Sequence, residues 1–229
     1  MIFRKFLLFS LLLFCTANAS EKTQTVAGFS VVIKSDVKNK NLEKAIIRLR
    51  RLLLHVQKVA PKLYLATKDK VKIWITDAKW QDTAAAYNPS TIWLIKHGHD
   101  PRLAAGIEII NLNSFLDWSV GNDQPMMILH ELTHAYHDQV IGYDNKEILS
   151  AFKKAIADGK YLKVRYQTMT GPIYSAYART DHKEYFAEIS EAYFGKNDYY
   201  PFNRAQLKTY DPAGYKLVER FLDEKTLAN

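Results

Sequence analysis

The chain has 229 residues, of which 48% are hydrophobic and 24% are charged, with only 9 glycines and 7 prolines. This composition excludes a disordered, collagen-like or low-complexity protein, and a chain of this length buries enough apolar surface to fold without disulfides. The formal net charge of +8 favours association with anionic surfaces, but it indicates neither a fold nor specific nucleic-acid binding.

The first nineteen residues have the three regions of a secretory signal peptide. Met1–Lys5 carries two positive charges, Phe6–Cys15 is apolar, and Ala17–Ala19 is a small-x-small cleavage site. We therefore expect a monomeric mature chain that begins near Ser20, carries a net charge of +6 without those two basic residues, and lies in a periplasm or outside the cell. No later segment is apolar for long enough to span a bilayer. Because Cys15 is the only cysteine, a metal site in the mature chain must use histidine and carboxylate ligands.

Before residue 120 the sequence predicts strands and one amphipathic helix. The stretch Lys38–Lys58 has apolar residues at helical spacing, namely Leu42, Ala45, Ile46, Leu49, Leu52, Leu53 and Val56. Its basic face, with Lys44, Arg48 and Arg51, is either the solvated side of a helix packed on a sheet or an anion-binding surface. Strands are predicted at Thr25–Lys34, Leu63–Ala66, Val71–Thr76, Thr91–Ile95 and Gly106–Leu112.

After residue 120 the pattern changes to helices. The segment Asp123–Ile141, capped by Asn122 or Asp123, ends before Gly142. Further helices are predicted at Asn145–Ala157, Asp181–Phe194 and Ala213–Leu222, and a strand is predicted at Tyr161–Thr168. Together these elements predict one α+β domain over residues 20–229, with a mixed sheet and backing helix in an upper lobe of about 20–142 and a helical lower lobe of about 143–229.

One motif in the helix before Gly142 carries chemistry. It reads His130-Glu131-Leu132-Thr133-His134, which places two imidazoles one turn apart on one helical face with a carboxylate beside them. This is the spacing of the zincins, in which both histidines bind zinc and the glutamate activates a water. The alternative is that both histidines are ordinary core or surface residues of an amphipathic helix.

A zinc ion bound by two histidines and no cysteine needs a third protein ligand. The metzincin pattern is excluded, because His137 and Val140 stand where that pattern has glycine and histidine. Asp138 lies too far along a straight helix to complete the tetrahedron, so it either accepts a hydrogen bond from a ligand or is solvated.

Three glutamates of the helix predicted at 181–194 are a better source of that ligand. Glu184, Glu188 and Glu191 fall on one helical face, and aromatic and apolar residues flank them. Such a face fits a cation if it turns inward. The alternative is a solvated acidic stripe in which Asp181 and Glu184 form a capping box.

The motif beginning at His130 and the run Tyr177–Glu188 together resemble the catalytic domain of anthrax lethal factor and its relatives, which include the Pro-Pro endopeptidases. These are gluzincins, zinc peptidases whose third ligand is a glutamate. In that family the ligand opens a Glu-aromatic-Phe-Ala-Glu run, and a tyrosine seven residues earlier lies over the metal. The resemblance covers residues 120–195, and the chain departs from it at Thr133, where family members have glycine.

The resemblance implies a zincin-like fold and a role for each matching residue. One zinc ion would be held by His130, His134 and Glu184. Glu131 would act as the general base and Tyr177 as the oxyanion donor. Glu188 would accept a hydrogen bond from a ligating histidine.

Three assignments stay open at this stage. Tyr174 is an alternative to Tyr177 as oxyanion donor. The edge strand that pairs with an extended substrate is either Tyr87–Ile95 or Gly106–Leu112. The two histidines that flank Gly98 are either surface residues or a second metal site.

These observations predict a secreted or periplasmic zinc endopeptidase that acts on peptide or protein substrates. Two other classes fit: a zinc protein without proteolysis, such as a binding module or a cell-wall amidase-like hydrolase, and a basic surface-binding protein in which the motif is incidental. Zinc content separates the last class from the others, and turnover of a peptide library separates the first two.

Overall fold

The computed structural model describes residues 21–78, 83–120 and 124–223. The predicted signal peptide and the predicted helix caps Asn122 and Asp123 lie outside these residues. The described chain is a mixture of helices and strands with a mixed sheet, which agrees at this coarse level with the predicted α+β class.

Five strands form the main sheet. They are β1 (Lys22–Val26), β2 (Phe29–Ile33), β3 (Ile73–Ile75), β4 (Ala85–Asn88) and β5 (Gly106–Ile109). Their order is β1-β2-β3-β5-β4, in which β2, β3 and β5 are parallel while β1 and β4 are antiparallel to their neighbours. β4 is therefore an edge strand of the described sheet. A second, two-stranded antiparallel sheet consists of β6 (Val164–Arg165) and β7 (Ile173–Tyr174).

The segment predicted as one strand, Thr25–Lys34, belongs to a β-hairpin of two strands. Val26 pairs with Phe29 across a two-residue turn, and both turn residues have positive φ, 44° at Ala27 and 84° at Gly28. Such a turn has the twist that joins antiparallel strands, so β1 folds back onto β2 rather than extending it.

Nine α-helices are found in the described ranges. They are α1 (Leu42–Val59), α2 (Pro61–Thr67), α3 (Thr91–Lys96), α4 (Leu112–Val120), α5 (Met127–Tyr136), α6 (Lys146–Ala157), α7 (His182–Phe194), α8 (Arg204–Tyr210) and α9 (Pro212–Leu222). The prediction of an amphipathic α1 is confirmed, because its buried residues are Ala45, Leu49, Leu52, Leu53 and Val56. None of these helices is long and apolar enough to cross a membrane.

Two predicted strands are helices. Leu63–Ala66 lies in α2, which starts with Pro61 and buries Leu63, Tyr64 and Thr67 at helical spacing. Thr91–Ile95 lies in α3, where the Ser90 hydroxyl accepts a hydrogen bond from the Trp93 N–H at 3.1 Å. The β-branched and aromatic residues suggested strands, but these start signals and the tertiary packing favoured helices instead.

Helices α4 and α8 were not predicted from the sequence. The predicted strand Gly106–Leu112 ends at Ile109, and the Asn111 side chain then accepts hydrogen bonds from backbone N–H groups at the start of α4. Asn203 caps α8 in the same way. The predicted strand Tyr161–Thr168 contributes only β6, because positive φ angles at Tyr161 and Gln167 interrupt the extended backbone.

The helices that surround the candidate site agree with the prediction more closely. α5 begins at Met127 rather than Asp123, continues through one π-helical turn at His137–Ile141, and ends where Gly142 has a φ of 88°. The cap suggested at Asp181 is confirmed for α7, and Asn145, the first residue of the predicted helix, caps α6. α5 packs against α7 on one side and against β4 on another.

His137 is completely buried although it follows the motif by only one turn. Its ring lies edge to face with Tyr143, His182 and Phe186, and neither ring nitrogen has a hydrogen-bond partner among the residues described. Burial, with smaller contributions from nearby cationic groups, lowers the pKa of His137 to about 3. The fold therefore holds this imidazole in its neutral form.

We predict that His137→Leu makes stability less sensitive to acid. A folded pKa near 3 and an unfolded value near 6.5 mean that His137 costs no stability above pH 6.5 and destabilises the fold as the pH falls toward 3. From pH 7 to pH 5 the wild type should lose about 2 kcal/mol that the variant keeps, as measured by urea unfolding at each pH. Substitution of the exposed His97 with leucine is the matched control. Parallel pH profiles for wild type and His137→Leu would contradict this assignment.

Candidate metal centre

Helix α5 brings the three motif residues to one cavity. His130, Glu131 and His134 all line the cavity on the side of the helix that faces the edge strand β4 and helix α7. The rings of the two histidines meet at a centroid distance of 4.7 Å and at nearly a right angle. This confirms that the i, i+4 spacing places both imidazoles at one point.

Helix α7 supplies the carboxylates. The prediction that Glu184, Glu188 and Glu191 face inward is confirmed, since all three line the cavity and the latter two are each only 4% exposed. Asp181 caps the helix by accepting hydrogen bonds from the Lys183 and Glu184 N–H groups at 2.7 and 3.0 Å. The Glu184 carboxylate, however, turns toward the histidines of α5, so the contact found here is not the reciprocal capping box.

The closest grouping joins His130, His134 and Glu184. Glu184 Oε2 lies 3.0 Å from His130 Nε2 and 3.2 Å from His134 Nε2. Tetrahedral ligands at zinc–nitrogen and zinc–oxygen distances of about 2.1 Å are about 3.4 Å apart, so this donor set fits a zinc ion in both chemistry and spacing. Two imidazole nitrogens directed at one carboxylate oxygen are otherwise an unusual arrangement. These residues form a buried group that could bind a metal ion.

Close contacts shift the pKa values of Glu184 and His130 in opposite directions. Burial opposes ionisation of Glu184, but hydrogen bonds with His130 and His134 outweigh it and hold the pKa of that carboxyl well below its usual range. Burial likewise opposes a charge on His130, but its contacts with Glu184 and Glu191 raise the pKa of this histidine. The ionised carboxylate is the form that binds a cation.

A second carboxylate contacts the other ring nitrogen of His130. Glu191 Oε1 lies 2.6 Å from His130 Nδ1, which leaves Nε2 pointing at Glu184. A carboxylate behind a histidine orients the ring and selects the tautomer that binds metal. The sequence analysis assigned a contact of this kind, with one of the two histidines, to Glu188. At His130 the structure gives it to Glu191, which lies two turns of α7 beyond Glu184.

Glu188 instead lies in a buried acidic group with Glu191 and Asp198. Its Oε2 accepts a hydrogen bond from the Asn197 side chain at 3.2 Å. Burial raises the pKa of Glu188 well above its usual range, and the neighbouring Asp198 and Glu191 raise it further. Burial and Glu191 also raise the pKa of Asp198, to about 7. Nothing in the sequence pattern around Asn197 and Asp198 predicted their place in the site.

Glu131 is held from the opposite side by strand β4. The backbone N–H of Tyr87 donates a hydrogen bond to Glu131 Oε2 at 2.7 Å. The Tyr87 hydroxyl in turn donates to Asp138 Oδ2 at 2.7 Å, so Asp138 ties α5 to β4 and does not join the metal-binding group. Burial raises the pKa of the Glu131 carboxyl. A carboxylate with a raised pKa beside a metal site is suited to proton transfer.

Tyr177 lies at the mouth of the cavity. Its ring stacks near His130 at a centroid distance of 6.4 Å, and its side chain is 49% exposed. Burial of the rest of the residue, together with the nearby Glu184, raises the pKa of Tyr177 to about 12, so its hydroxyl is a proton donor at neutral pH. Tyr174, the alternative, packs edge to face on Tyr166 and is not among the residues that line the cavity.

The cavity between β4, α5 and α7 has a volume of about 500 Å³. Ala85, Ala86 and Tyr87 of β4 line one side of the cavity, and the histidine and glutamate group lines its floor. The remaining side is aromatic and acidic and includes Tyr166 and Tyr199. The histidines around Gly98 lie elsewhere, stacked on Trp93, and belong to no metal-binding group in the described chain.

Comparison with known proteins adds no assignment to this geometry. No protein-family model, curated protein or solved structure matches the chain.

We predict that Glu184→Ala abolishes stoichiometric zinc binding, since it removes one of three converging ligands. Glu191→Gln should weaken zinc binding by about 10–100-fold, because the amide is a poorer acceptor for His130 Nδ1–H. Glu188→Gln is the matched control on the same helix face and should bind zinc nearly as wild type does. Elemental analysis and competition with a chelator dye give the stoichiometry and the affinities. Zinc binding that is weakened by Glu188→Gln and unaffected by Glu191→Gln would reverse this assignment.

Proposed function

We propose that the chain is a zinc-dependent endopeptidase that acts outside the cytoplasm. The observation that carries this proposal is the convergence of His130 Nε2, His134 Nε2 and Glu184 Oε2, with Glu131 fixed beside them on the floor of an open cavity. A zincin-like fold and membership among the lethal factor-like gluzincins belong to the same proposal. The pattern of the first nineteen residues supports the location.

Each residue would have a separate task in peptide hydrolysis. His130, His134 and Glu184 would hold zinc, which supplies a Lewis acid that lowers the pKa of a water molecule. Glu131 would accept a proton from the attacking water and pass it to the leaving amine. The hydrogen bond from the Tyr87 N–H keeps the Glu131 carboxylate in place for both transfers.

Tyr177 would donate a hydrogen bond to the oxyanion that forms from the peptide carbonyl. Its partial exposure at the cavity mouth leaves the hydroxyl accessible, and its high pKa keeps the proton on it. A donor that is already in place stabilises the developing charge without reorganisation.

Strand β4 is the better candidate for substrate binding of the two segments that the sequence left open. Gly106–Leu112 contains β5, which lies between β3 and β4 and has no edge for a peptide. β4 forms the edge next to the cavity, and of the segment Tyr87–Ile95 only Tyr87 and Asn88 belong to this strand. An extended substrate would therefore add to the sheet along β4.

We predict that Glu131→Gln retains zinc and loses peptide hydrolysis by at least about 10³-fold, because the amide cannot accept the proton from water. Zinc content by elemental analysis and cleavage of a peptide library followed by mass spectrometry measure the two properties. The exposed Glu147→Gln is the matched control and should cleave as wild type. Wild-type rates in Glu131→Gln would exclude the mechanism.

We predict that Tyr177→Phe retains zinc and lowers kcat by about 10- to 10³-fold with little change in KM, since the lost hydrogen bond forms only with the oxyanion. Tyr174→Phe, at the neighbouring exposed tyrosine outside the cavity lining, should leave kcat unchanged. If instead Tyr174→Phe is the slower variant, the role belongs to Tyr174.

A further inference from the structure

The wall of the cavity on the α7 side contains more carboxyl groups than the metal site uses. Five carboxylates line the cavity, and no lysine or arginine is among its lining residues in the described chain. Glu184 and Glu131 belong to the proposed chemistry, and Glu191 is paired with His130. Glu188 and Asp198 lie near His130 but form no ion pair with a lysine or arginine of the described residues, in a chain whose net charge is positive.

Asp198 has a carboxylate oxygen that lacks a hydrogen-bond partner in the described structure. The residue is only 5% exposed, and its Oδ1 is buried with no hydrogen-bond partner within the described ranges. A buried carboxylate oxygen without a partner costs free energy that a positively charged ligand would recover. The backbone holds Asp198 firmly in this position, since its carbonyl accepts from the Gln167 N–H at 2.5 Å.

Two aromatic rings stand beside the carboxylates. Tyr166 and Tyr199 line the cavity with a centroid distance of 4.9 Å, and their backbones form an isolated β-bridge. Tyr199 lies close enough to Asp198 and Glu188 for both to raise its pKa, although burial is the larger cause. Tyrosine rings next to carboxylates form a common binding site for a guanidinium or ammonium group.

The spacing of the carboxylates favours an extended cation over a metal ion. His130, Glu188 and Glu191 have ligand atoms within 4.8 Å of one another, but His130 already pairs with Glu191 through the nitrogen on that side. Asp198 joins no such compact group among the described residues. A planar guanidinium has five N–H donors and can contact two carboxylates at once, without the compact group of ligand atoms that a metal ion needs.

We propose that Asp198 and Glu188, with Tyr166 and Tyr199, form a specificity subsite that binds an arginine or lysine side chain of the substrate. This inference rests on the proposed peptidase function for its biological meaning. The binding of a cation by the subsite can nevertheless be measured without any catalysis. Asp198 is the residue that determines this preference, and Glu188 supplies a second carboxyl group beside it.

The first experiment measures binding to the zinc-loaded mature chain with two small probes of equal length, N-butylguanidine and the neutral N-butylurea. N-Butylguanidine should raise the thermal midpoint in a saturable way, and N-butylurea should have no effect. Asp198→Asn should weaken the binding of N-butylguanidine at least about tenfold. The unliganded variant should remain folded, because it removes a buried carboxylate next to Glu191.

Control variants and a competing metal ion test whether N-butylguanidine binds at Asp198 and Glu188. Asp158→Asn, at an exposed carboxylate paired with Lys154, is the matched control and should bind N-butylguanidine as wild type does. Glu188→Gln is a second test if Asp198→Asn does not fold, and it should also weaken binding. Equal affinity in wild type and both variants, or no binding at all, overturns the proposal. Stabilisation of wild type by Ca²⁺ alone, lost in Asp198→Asn, would overturn it in favour of a metal site.

The second experiment compares cleavage of peptides that contain arginine with the same peptides containing citrulline, its neutral analogue. Wild type should prefer arginine at one position relative to the cleaved bond, and Asp198→Asn should lose that preference while retaining zinc and cleavage of the citrulline peptides. If wild type binds N-butylguanidine but cleaves no peptide, the peptidase function fails and the cation subsite stands. If it cleaves peptides without preference for a basic residue and does not bind the probe, only the subsite fails.

Discussion

The structure of the site depends on how His130 is held between two carboxylates of one helix. Glu184 lies at its Nε2 and Glu191 at its Nδ1, and the two glutamates are separated by two turns of α7. This contact fixes the rotation of α7 relative to α5, because a different rotation would leave a buried imidazole and two buried carboxylates without partners. The cost of unpaired buried charge makes this packing strongly preferred over its alternatives. Once it is formed, His134 Nε2 also falls within 3.2 Å of Glu184.

Three glutamates of the same helix face acquire different properties from their surroundings. Contact with two histidines lowers the pKa of Glu184, whereas burial beside other carboxylates raises the pKa of Glu188. Glu191 orients the imidazole of His130. Identical side chains at regular spacing thus belong to a histidine–carboxylate cluster, to a buried acidic group and to a hydrogen bond that orients an imidazole. The neighbouring elements, rather than residue type, decide which role each one has.

The opposite side of the cavity is built by backbone rather than by side chains. β4 is an edge strand, so its outward N–H groups are not all used in the sheet, and the Tyr87 N–H is available to Glu131. The Tyr87 hydroxyl contacts the same helix two turns further along, through Asp138. The cavity between these two layers is lined by acidic residues, whereas the net charge of the chain is positive. This contrast is the basis of the proposed cation subsite.

The sequence by itself determined the features that arise from local periodicity. The shared face of His130 and His134, the inward face of the three α7 glutamates and the cap Asp181 were correctly predicted. Each of them follows from the geometry of one helix and needs no help from distant parts of the chain. Short apolar segments such as Leu63–Ala66 were predicted wrongly, since a few apolar residues fit a strand and a buried helix equally well.

Only the tertiary structure decided the contacts between residues far apart in the chain. The choice of Glu191 rather than Glu188 behind His130, the hydrogen bond from the Tyr87 backbone to Glu131, and the place of Asp198 in the cavity depend on how α5, α7 and β4 pack. Spacing within one helix shows which side chains share a face, but it does not show which of them meets a given atom on another element. That choice depends on the rotation and translation of whole elements, which the burial of many core residues fixes together.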